Sequence, residues 1–157
     1  SGTWLRDKGR ASLRTLEIDG ERGFLTRDGG RVAMPEAMLR HERQQFALYG
    51  LMRLVSWREP GARLEILPVG GDEAHRVRIS HPKAPVTEFW FSAEGRVLRA
   101  RNKVDSPDGK DLIAQEMEFS GTIEGGGIAW PRTLMMRQNG APYFELHLSR
   151  FSPRWRR

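Results

Sequence analysis

From Gly61 to the C-terminus, apolar and polar residues alternate with a period of two. Val77 and Ile79 alternate with Arg76 and Arg78. Phe89 and Phe91 alternate with Glu88 and Trp90, and Ile113, Met117 and Phe119 with Glu116 and Glu118. That period belongs to strands with one buried face. It predicts strands over 63–67, 75–80, 87–92, 96–102 and 112–121, then a hairpin of 133–138 and 143–149. Asn139-Gly140 turns the hairpin, because both residues tolerate positive φ. Pro131 and Pro142 are placed just outside its strands. Earlier in the chain, 12–18, 23–27 and 31–34 read as a meander closed by Asp19-Gly20 and Asp28-Gly29-Gly30. Short connections between strands imply antiparallel pairing.

One segment breaks the alternation. Pro35 suits a first helical turn, and the pattern predicts a helix from Pro35 to Trp57, ended by Glu59-Pro60-Gly61. Its first half, Arg40-His41-Glu42-Arg43-Gln44-Gln45, is polar. Its second half, Phe46 to Val55, is apolar nearly all round, which predicts burial on every side. The economical architecture is mainly β with one long helix. We read it as an incomplete antiparallel barrel of about seven to ten strands, a usual sheet size, with the helix packed against its concave face.

Composition narrows the function more than the fold. The 157 residues carry a net charge of +6 and no cysteine, and we read them as one domain. The basic residues are mostly single and interleaved with acids, and no recognition helix is apparent. This argues against a nucleic-acid partner and leaves contact with a membrane surface or an acidic partner open. No apolar run approaches the roughly 20 residues that span a bilayer. The four histidines lack metal-ligand spacing. Asp105, Asp108 and Asp111 do not follow the calcium-loop pattern, and Gly125 to Gly127 precede no Lys-Ser/Thr helix. No nucleophile elbow is present. The expectation is a non-enzymatic protein with no metal and no cofactor.

Three stretches carry a resemblance: "DGERGFLTRDGGRVAMP" (Asp19 to Pro35) before the helix, then "EFWFSAEGRVLRARN" (Glu88 to Asn102) and "GGGIAWPRTLMMRQNG" (Gly125 to Gly140) after it. In this order they resemble the outer-membrane lipoprotein-sorting, LolA/LolB-like superfamily, including its uncharacterised periplasmic members. The resemblance implies a half-barrel around an apolar cavity and a periplasmic or outer-membrane-associated protein. In that reading residues 1–157 are one such domain, its first strands short or missing. It further implies a carrier or sensor of a lipid, acyl chain or other hydrophobic ligand. The candidate cavity residues are Phe46, Met52, Phe89, Phe91 and Met117, and the candidate headgroup partners are Arg40, Arg43 and Arg53. The alternative is a protein–protein interaction module of the cell envelope with a filled, ligandless barrel, in which Trp90 and Trp130 stand on the convex face as contacts. The state of the cavity separates the two: a void of several hundred Å³ suits a ligand, a filled interior suits the module.

Overall fold

The computed structural model describes residues 2–6, 12–19, 21–52, 55–70 and 73–153, with side chains described for all of these except 2–6, 12–14, 48–52 and 55–56. The protein is mainly β, 57% strand with one α-helix. Its sheets are antiparallel and, among the described residues, not closed into a barrel, which is compatible with an open half-barrel. By its internal contacts the chain divides into two compact units, residues 1–46 with 105–112, and residues 47–104 with 113–157.

In the first unit, β1 (Gly2–Arg6), β2 (Ser12–Asp19), β3 (Arg22–Arg27) and β4 (Gly30–Ala33) form a four-stranded sheet in sequence order. Asp28 and Gly29 turn β3 into β4 with φ of 49° and 81°, the left-handed pair that a tight hairpin needs. The helix α1 (Glu36–Met52) starts after Pro35, whose carbonyl accepts the Leu39 N–H at 2.9 Å. Leu39 then packs with Leu16 and Met34, flanked by Ile18, Leu25 and Met38. The approach is close at Gly23, where an added Cβ would lie 2.7 Å from Leu39 and 2.8 Å from Met34.

In the second unit, β5 (Arg63–Leu67), β6 (His75–His81), β7 (Ala84–Phe91), β8 (Val97–Asp105), β9 (Leu112–Ser120), β12 (Thr133–Gln138) and β13 (Ala141–His147) form a seven-stranded sheet, with β5 and β13 as its edges. A separate hairpin, β10 (Ile123–Gly125) with β11 (Ile128–Trp130), turns at Gly126-Gly127. The glycine run is therefore a turn. Asn139 and Gly140 have φ of 49° and 80°, as their turn requires.

The structure differs from the pattern reading in several features, among them the strand β1 and the β10–β11 hairpin, which the alternation does not mark. The strands form separate sheets, because those before the helix satisfy their backbone groups among themselves in a local meander. The helix ends at Met52, and Trp57 lies in a one-turn 3₁₀ segment, Val55–Arg58. Pro142 lies inside β13, tolerated because this is an edge strand and the register shifts beside it, between Met136 and Arg137.

Candidate functional site

The two faces of the seven-stranded sheet differ in kind. Pairing sets Phe89 opposite Ala100 and Val77, Met136 opposite Met117 and Phe144, and Leu134 opposite Phe119. These residues share one face with Ile79, and its centre is a closed core in which Phe89 and Met117 are each 0% exposed. Trp57 lies against this layer, 5.5 Å from the Phe89 ring and 5.8 Å from that of Phe91.

That apolar face has two discontinuities. The first is a row of polar side chains. Thr87 pairs with Asn102, and Gln138 with Gln115. The β8–β9 hairpin, closed by the Ser106 N–H to the Asp111 carbonyl at 2.8 Å, brings Asn102 level with Gln115. Asn102 is 7% exposed and Gln115 1%. Neither amide atom of the Asn102 side chain has a partner among the described residues, nor has Gln115 Oε1 or Gln138 Nε2. Gln115 Nε2 reaches only the Met136 sulfur, at 3.9 Å. Thr87 is satisfied, its hydroxyl donating to the Pro85 carbonyl. Unpartnered buried amides are uncommon in folded proteins. The second discontinuity is the β5 edge, where Leu64 and Ile66 are 51% and 86% exposed.

The opposite face is a ladder of ion pairs. Arg78 bridges Glu65 and Glu88, and Arg76 also donates to Glu88, at 2.6 Å. Arg101 pairs with Glu116, Arg137 with Glu118 and Arg99 with Glu73. The hydrogen bond from Arg76 and then those from Arg78 hold the Glu88 carboxyl below its usual range, against its partial desolvation. Trp90 belongs to this face but is buried, with the guanidiniums of Arg99, Arg76 and Arg101 at 4.4, 4.9 and 5.6 Å from its ring. It is not an open contact for a partner. Trp130 stacks on Phe151 at 6.0 Å.

The predicted site residues fall in different surroundings. Phe89, Phe91 and Met117 are brought together, as closed core in the second unit. Phe46 is half-buried in the first unit. The Met52 side chain and Arg53 lie outside the described residues. Arg40 is committed to structure: its Nε lies 2.8 Å from Asp105 Oδ2. Its helix neighbours hold the same residue, since His41 Nδ1 donates to the Asp105 carbonyl at 2.6 Å and Gln44 Oε1 accepts the Asp105 N–H at 2.7 Å. Arg43 also has a partner.

The Asp105–Asp111 segment is a polar hairpin loop in which the Ser106 hydroxyl donates to Asp108 at 2.6 Å and accepts the Lys110 and Asp111 N–H groups. That hydrogen bond, with the Lys110 N–H, lowers the Asp108 pKa. Among the described residues no group of three or more His, Asp or Glu could hold a metal ion. No helix among the described residues is long and apolar enough to cross a membrane. A groove of about 490 Å³ lies on the four-stranded sheet, lined by Glu17, Ile18, Asp19, Arg22, Phe24 and Arg31. Arg31 covers the Phe24 ring at 3.6 Å and pairs with Glu17 at 2.9 Å, so both signs of charge meet there. Such a lining is unlike the apolar pockets that hold acyl chains.

Compared with protein-family models, with curated proteins and with solved structures, the chain finds no match. The resemblance to the lipoprotein-sorting superfamily rests on its turn motifs alone. Sequence reasoning missed the amide row and the bare β5 edge. The signal for the row was present: Gln115 falls in the apolar phase between Ile113 and Met117, and Asn102 between Ala100 and Val104.

Proposed function

We propose that this chain is a non-enzymatic protein–protein interaction module of the cell envelope, with a filled, ligandless apolar layer. The observation that carries this reading is the state of Phe89 and Met117, each 0% exposed. An acyl chain in this layer would have to touch them, and they present no surface to touch. The face behind them spends its arginines and glutamates on one another. The edge strand β5 leaves Leu64 and Ile66 open at the margin of the apolar face, and sheet edges are recurring sites of protein recognition. The envelope location follows the resemblance. Titration with a fluorescent fatty acid or phospholipid analogue tests the reading. No saturable binding is expected, and saturable binding with one-to-one stoichiometry contradicts it.

A second reading, a periplasmic carrier or sensor of a hydrophobic ligand, draws support from the unpartnered amides of Asn102 and Gln115. A ligand whose polar head reached them would supply their missing hydrogen bonds, and its chain would require the core to open. Under this reading the titration saturates, and Asn102→Leu weakens it.

A further inference from the structure

The two edges of the seven-stranded sheet are managed differently. The outer strand β13 carries Pro142 and a register shift beside it, both devices that discourage pairing with another chain. The strand β5 has neither. It runs in unbroken register against β6 from Arg63 to Leu67, contains no proline, and exposes Leu64 at 51% and Ile66 at 86%. Its outer backbone groups have no neighbouring strand in the sheet.

We infer that β5 is a homotypic docking edge, which pairs antiparallel with β5 of a second copy about a two-fold axis through Leu64. This inference rests on the module reading and names the partner of that edge. The charges select the register. Antiparallel hydrogen bonding matches residues that both turn their backbone groups outward, so a two-fold axis passes through a residue position. With Arg63 or Glu65 on the axis, two like charges face each other, which is destabilising. With Ile66 on the axis, Leu64 faces Pro68, which has no N–H to give.

With Leu64 on the axis, Arg63 of each copy faces Glu65 of the other, twice, and the two Leu64 side chains meet on the apolar side. Arg63 has no ion pair among the described residues, whereas Glu65 accepts from Arg78 at 3.0 Å and keeps an oxygen for a second cation. Pairing about this axis keeps the apolar face continuous across both copies. The contact is small, and small interfaces belong to transient complexes, so the dimer forms and dissociates with concentration.

The chain contains no cysteine, so single cysteines report the register. A residue on the axis faces its own copy within disulfide reach, and one two positions out of register is about 8 Å away, beyond it. Leu64→Cys is expected to give a disulfide-linked dimer under mild oxidation, at least tenfold faster than Glu65→Cys or Ile66→Cys. In sedimentation velocity the unmodified chain is expected to shift from monomer to dimer as concentration rises. Arg63→Glu abolishes the shift, and mixing Arg63→Glu with Glu65→Arg restores it, because each pair across the edge is then opposite in sign. Circular dichroism confirms that each variant is folded. Equal cross-linking at the three positions, or faster cross-linking at 65 or 66, overturns the inference, as does a chain that stays monomeric. A monomer that also binds no lipid removes the self-pairing and leaves the module reading standing, whereas saturable lipid binding removes that reading itself.

Discussion

Replacing Gln115 by methionine tests whether the amide row is an empty cost to the fold or a group awaiting a partner. Gln115 is 1% exposed, its Oε1 has no partner among the described residues, and its Nε2 touches only the Met136 sulfur at 3.9 Å. A buried polar group left unsatisfied costs about 1–3 kcal/mol. Methionine matches glutamine closely in length and volume, and well-matched swaps in a core cost under about 1.5 kcal/mol. Over most of these ranges the removed penalty equals or exceeds the repacking cost, so Gln115→Met is expected to leave stability unchanged or to raise it by up to about 2 kcal/mol. At about 2–4 °C per kcal/mol for a chain of this size, the midpoint of thermal unfolding holds or rises, by up to about 8 °C. Urea unfolding followed by circular dichroism gives the free energy directly. A loss of about 1 kcal/mol or more, in protein shown free of lipid, refutes the reasoning, because the amide then has a partner that methionine cannot replace.

Met117→Ala should cost about 2–5 kcal/mol in urea unfolding, the range for large-to-small changes in a closed core; a loss under about 1 kcal/mol, typical of the surface, would place Met117 at a cavity. Gly23→Ala should destabilise by about 1–3 kcal/mol through overpacking against Leu39 and Met34, both buried, and a neutral result would show that this contact yields easily. Glu88, with its carboxyl pKa lowered from 4.5 in the fold, contributes stability that is present above pH 4.5 and lost as pH falls below it through the folded value. Glu88→Gln is expected to reduce stability at pH 7 and to flatten its decline on acidification, and acid unfolding curves that superimpose with and without the substitution would contradict this.

Alternation located most strands because the inner strands of the large sheet have one buried face and one face of ion pairs, and the edge strands β5 and β13 keep the alternation although they are largely exposed. The same signal does not say which strands are neighbours. The meander before the helix was legible as strands, yet its separation as a four-stranded sheet was not, since local pairing and pairing to a distant edge give the same pattern. The Asn139-Gly140 turn was readable because few residues tolerate its φ. Pro142 misled, because its effect depends on β13 being an edge. The period also places Phe89 and Met117 on the apolar face without saying what covers it, so a cavity lining and a closed core looked alike. Arg40 faced the same difficulty. Its partner Asp105 lies far along the chain, and only the fold brings helix and hairpin loop together.

Native mass spectrometry of the chain purified from a bacterial host, followed by lipid extraction, tests the central claim of a filled, ligandless layer most directly. The account predicts the bare polypeptide mass, with a dimer whose share grows with concentration, and no lipid in stoichiometric amount in the extract. A monomer carrying one lipid-sized adduct, with the same lipid recovered by extraction, would contradict it.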